Sequence, residues 1–117
     1  MIATFPSQRE EKRLALLEAV ESIRDVLQAG SDEAERIGTL PKDSVDALCD
    51  TGLLSFKIPA VLGGAEADLL TQLDVFEAVT RIDPAAGWCL MIGAASVSNV
   101  TAFLPDEAIQ ELFVDGR

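Results

Sequence analysis

Apolar residues recur along most of this chain at the three- and four-residue spacings of amphipathic helices, and no stretch sustains the alternation typical of a strand. The clearest face lies within residues 8–29 and carries Leu16, Val20, Ile23 and Leu27. Gly30 then interrupts the pattern before "DEAERIG" resumes it. Since glycine costs only about 1 kcal/mol in a helix interior, either two helices meet there or one long helix continues.

Four further helices follow from capping signals and apolar stripes. The second is predicted to begin at Pro41 and to end at Gly52, because proline suits a first turn and glycine suits a left-handed helix end. The third covers about residues 68–81, the fourth opens with Asp83–Pro84, and the fifth follows Pro105. The predicted inward faces of the second and fifth helices are Val45, Leu48 and Cys49, and Ile109, Leu112 and Phe113. That of the third helix is Leu69, Leu73 and Phe76, broadened by Leu70, Val79 and Ile82.

The stretch "FKIPAVLGGAEADLL" separates the second helix from the third. Pro59 favours an extended backbone at the residue before it, and the pair Gly63–Gly64 allows a positive φ and a close backbone approach. We therefore predict an all-α fold: an orthogonal bundle of about five helices, with an extended linker between the second and third. The length is that of a single domain over residues 1–117.

The fourth helix has no charged residue from Pro84 to Pro105. Its polar and small residues, and the lack of a closely flanking basic residue on one side, argue against a membrane span. A small bundle of five helices seldom encloses one of its helices completely. Part of this helix is therefore expected to face a partner chain, another domain or a ligand. Its residues Trp88, Met91, Ile92, Ala95 and Ser96 form either core or the wall of an apolar pocket, and the hydroxyl of Ser96 is expected at least to bond the preceding turn.

The charge and the missing residue types exclude several functions. A net charge of −11 argues against binding nucleic acid or an anionic membrane. The chain has no His and no Tyr, so it can build no Ser–His or Cys–His nucleophile, and no catalytic residue is assigned. Cys49 and Cys89 lack the neighbours of a zinc site, and no signal peptide precedes them. No metal site, two buried thiols and a cytoplasmic location are therefore predicted.

The ordered set of these elements resembles the N-terminal helical domain of the acyl-CoA dehydrogenase superfamily. The matching features are Leu40–Pro41 at a helix start, Gly52–Leu53 at its end, Ile58–Pro59 before Gly63–Gly64, and Asp83 to Gly87. The likeness covers about residues 33–117, and Glu66 stands where the family often has a further glycine. The run "AAGWCLMIGA" is more similar to the flavin-dependent monooxygenase branch than to the fatty acyl branch, although the His or Tyr that some hydroxylases carry here is missing.

The resemblance implies a part of a flavin enzyme rather than a whole one. Pro59, Gly63 and Gly64 would form a loop close to the flavin and substrate cleft, and the fourth helix would supply a wall of it. The family continues into a β-barrel and a C-terminal helical domain, which hold most contacts to FAD or FMN. This chain alone is therefore expected neither to bind flavin tightly nor to turn over substrate. The full-length enzyme is expected to be a homo-oligomer, typically a tetramer, served by a flavin reductase in the monooxygenase branch.

Two other functions stay open on the sequence. A stand-alone helical module would oligomerise through the fourth helix as a closed symmetric dimer. A carrier of a small apolar ligand would need an enclosed pocket.

Overall fold

Six α-helices make up the computed structural model of this protein, which describes residues 5–113. They are α1 (Arg9–Ser22), α2 (Arg24–Ile37), α3 (Lys42–Asp50), α4 (Leu69–Ile82), α5 (Pro84–Phe103) and α6 (Asp106–Leu112). The described residues contain no strand, so the predicted all-α bundle is confirmed, with one helix more than expected. Residues 1–4 and 114–117, the two ends of the predicted domain, lie outside the described part.

The extra helix comes from a break at Ile23. This residue has φ −110° and ψ 8°. Its N–H donates to the carbonyl of Val20, three residues earlier, whereas an α-helix bonds the fourth residue back. Gly30, where the interruption was expected, lies inside α2 and is buried. A Cβ there would stand 2.5 Å from the Ser44 hydroxyl, so this glycine lets α3 approach α2 closely.

The segment between α3 and α4 is not extended, contrary to prediction. Gly52 ends α3 with φ 78°, as expected, but the chain then forms two 3₁₀ helices, Leu53–Ser55 and Ala60–Leu62. Hydrogen bonds tie the segment to itself: the amides of Ala65 and Ala67 bond the carbonyls of Ser55 and Phe56. Folding the segment into turns buries Leu53 and Phe56 completely, which an extended chain would not do.

The inward faces of three helices differ from the prediction. Helix α4 buries Val79 and Ile82, as predicted, but its other buried residues are Thr71 and Val75, while Leu69, Leu70 and Leu73 are exposed. Both stripes of α4 are apolar, so periodicity alone could not choose between them. On α3 the buried residues are Ser44 and Leu48, whereas Val45 is exposed, and on α6 Ile109 is buried but Leu112 is not.

The core is continuous from α1 to α5. Helices α1 and α2, with Ile23 between them, contribute the face that the sequence predicted, which is Leu16, Val20, Ile23 and Leu27. The ring of Phe56 meets that of Phe76 edge to face, with centroids 5.2 Å apart. Helix α5 packs mainly on α4 and also contacts α2 and the first 3₁₀ helix, so its surroundings cover only one side.

The prediction of two buried thiols is wrong, because Cys49 and Cys89 are both exposed. Cys49 follows the buried Leu48 on the last turn of α3, and one residue along a helix turns the side chain away from the core. Cys89 follows Trp88 on the outward side of α5.

Candidate functional site

Helix α5 has an inward face of small residues and an outward face of large ones. Ala86, Gly87, Leu90 and Ala94 are buried against the other helices. On the opposite side the exposed apolar residues are Trp88, Met91, Ile92 and Phe103. This helix is long and apolar enough to cross a membrane, and only 22% of its most apolar 18-residue window is buried. Large apolar side chains left in water on a single face are typical of an interaction surface.

Asp83 and Pro84 begin this helix in the predicted manner. The carboxylate of Asp83 accepts a hydrogen bond from the amide of Ala85 at 3.2 Å, and Pro84 occupies the first turn, where no amide partner is needed. One turn later Gly87 lies against Thr80, which brings α5 close to α4. The position of the outward face therefore follows from a capped start and a glycine contact.

The residues predicted as a pocket wall are mostly exposed. The side chains of Trp88, Met91 and Ile92 are 63%, 37% and 47% exposed, so the alternative that they are core is wrong. Ala95 is half-buried. Ser96 is exposed and its hydroxyl donates to the carbonyl of Ile92 at 2.9 Å, which confirms the expected local bond.

Of this group, Trp88 lines a cleft that lies between α2 and the start of α5. Its volume is about 440 Å³. The polar residues around it are Ser31, Glu35, Thr39 and Asp83, and the remaining wall is formed by Ala34, Gly38, Leu40, Pro84, Ala85, Trp88 and Cys89. We call this the α2–α5 cleft. Met91, Ile92, Ala95 and Ser96 do not line it.

Asp83 is the buried polar residue of the α2–α5 cleft, with 2% of its surface exposed. Its Oδ1 accepts from the Ala85 amide and from the Ser31 hydroxyl, at 3.2 and 3.3 Å. Its Oδ2 is buried and has no hydrogen-bond partner among the described residues. Sequence reasoning identified Asp83 only as a helix cap. Its burial depends on α2, which no local signal places beside it.

A second, more acidic groove runs between α2 and α3, with a volume of about 600 Å³. Its carboxylates belong to Asp25, Glu33, Asp43, Asp46 and Asp50. Among the described residues no three His, Cys, Asp or Glu side chains stand close enough together to hold a metal ion.

The predicted loop of Pro59, Gly63 and Gly64 lines neither the α2–α5 cleft nor the acidic groove. Gly63 has φ 89°, and a Cβ on Gly64 would lie 2.6 Å from the carbonyl carbon of Ile58 and closer still to its oxygen. The positive φ and the close backbone approach that were predicted for this glycine pair are therefore both present. The turn is filled by the chain itself, because Ile58 occupies the space beside Gly64.

Neither the α2–α5 cleft nor the acidic groove is lined by a Lys or Arg side chain that could hold a phosphate.

The comparisons with known proteins give one match. The family model described as "Acyl-CoA dehydrogenase, N-terminal domain" matches residues 9–114, which is nearly the whole chain. No curated protein and no solved structure matches significantly. The match agrees with the order of elements found here: helices, a turn-rich segment with Gly63–Gly64, and a long helix opened by Asp83–Pro84. The chain therefore belongs to the acyl-CoA dehydrogenase family, as an N-terminal helical domain of that superfamily.

Proposed function

We propose that this chain serves as the N-terminal domain of a flavin-dependent oxidoreductase, in which the outward face of α5 forms one wall of the substrate and flavin cleft. The observation that carries the proposal is the exposure of Trp88, Met91 and Ile92 on a helix that contains no charged residue. Burying such a face in an assembled enzyme contributes roughly 25 cal/mol for each Å² of apolar surface removed from water.

In this proposal the remaining parts of the enzyme supply what the described residues lack. A β-barrel domain and a C-terminal helical domain hold the FAD or FMN and cover α5. The complete enzyme is a homo-oligomer in the cytoplasm, and family members of this kind are typically soluble and flavin-dependent. The loop of Pro59, Gly63 and Gly64 borders the cleft through its surface, since Gly63 is exposed.

The branch of the family decides the reaction. The run "AAGWCLMIGA" favours a two-component monooxygenase, in which a separate flavin reductase delivers reduced flavin. Trp88 then offers an aromatic face for an aromatic substrate. A dehydrogenase acting on acyl thioesters is the alternative, since neither His nor Tyr is present on α5.

The test compares this chain with the product of the complete reading frame. The frame is expected to encode a β-barrel and a four-helix domain beyond Arg117, and the complete product is expected to bind flavin in a fluorescence titration. The 117-residue chain is expected to show no tight binding in the same assay. Tight flavin binding by the chain alone would contradict the proposal, as would a stop codon directly after Arg117.

A further inference from the structure

We draw no further inference here: the strongest candidate, the acidic groove between α2 and α3, is a cluster of carboxylates, and the one unpartnered polar group at its wall among the described residues, the Ser44 hydroxyl, is buried against Gly30 and closed to a ligand.

Discussion

Gly87 lies so close to Thr80 that α5 and α4 meet there without room for a side chain. A Cβ on Gly87 would stand 2.9 Å from the Cα of Thr80 and closer still to its hydroxyl oxygen. Because part of this contact is backbone, a side-chain rotation cannot relieve it. The contact fixes how α5 presents Trp88 and the rest of its outward face.

Replacing Gly87 with alanine should therefore destabilise the protein. Alanine gains about 1 kcal/mol in helix propensity, but forcing the two helices apart costs more, and we expect a net loss of about 2 kcal/mol. Urea denaturation followed by circular dichroism measures the change. Gly93→Ala on the same helix is the control, since its Cβ would meet only the flexible end of Leu54 at 3.2 Å. Equal effects of the two substitutions would contradict this explanation.

Gly64 makes an even closer contact with backbone. A Cβ there would overlap the carbonyl group of Ile58, which also accepts the amide of Glu66 at 3.0 Å. We expect Gly64→Ala to destabilise by about 3 kcal/mol or more, because the whole turn must shift. At Gly38, which has φ 77° and open space around it, alanine should cost only about 1 kcal/mol. A Gly64→Ala protein as stable as wild type would show that the turn is not tightly packed.

Glu66 holds a left-handed backbone conformation, with φ 49°, where the family often has glycine. A residue with a side chain destabilises the folded state by about 1 kcal/mol in this region. The Glu66 side chain offsets little of that cost, since its one described hydrogen bond, accepted from the exposed amide of Ala60, is 3.4 Å long. Glu66→Gly should raise the free energy of unfolding by about 1 kcal/mol, while Glu66→Ala should not. The prediction fails if both variants are less stable than wild type.

Asp68 makes the stability of α4 depend on pH. The Thr71 hydroxyl, with the Thr71 amide and the Arg9 guanidinium, lowers the pKa of this carboxyl below its ordinary value of 3.8. A depressed folded-state pKa stabilises the protein above 3.8, and the contribution is lost as the pH falls through the lowered pKa. The stability difference between wild type and Asp68→Asn should therefore shrink on acidification, as measured by urea denaturation at several pH values. A difference independent of pH would exclude this role.

The sequence predicted the buried face well along α1 and α2, which share one apolar stripe. Leu16, Val20, Ile23 and Leu27 are all buried, although the chain breaks at Ile23. That break could not be predicted, because an unchanged stripe runs through it and no glycine or proline marks it. On α4, by contrast, two largely apolar stripes compete, and the buried one contains the polar Thr71.

The candidate site was less predictable than the fold. The exposure of Trp88 could be expected from an uncharged helix that a small bundle does not cover. The cleft beside it could not be, because it depends on the placement of Ser31 and Glu35 opposite Asp83, more than 45 positions away along the chain. Only packing between distant helices brings these groups together.

The exposed face of α5 is central to this account, and light scattering on the purified chain tests it most directly. We predict a monomer that passes into aggregates of no fixed size as the concentration rises, because the face was shaped for other domains rather than for its own copy. Replacing both Trp88 and Ile92 with glutamate should keep the chain monomeric and equally helical. A single closed dimer in the wild type, returned to monomer by these two substitutions, would contradict the account and identify a stand-alone oligomerisation module.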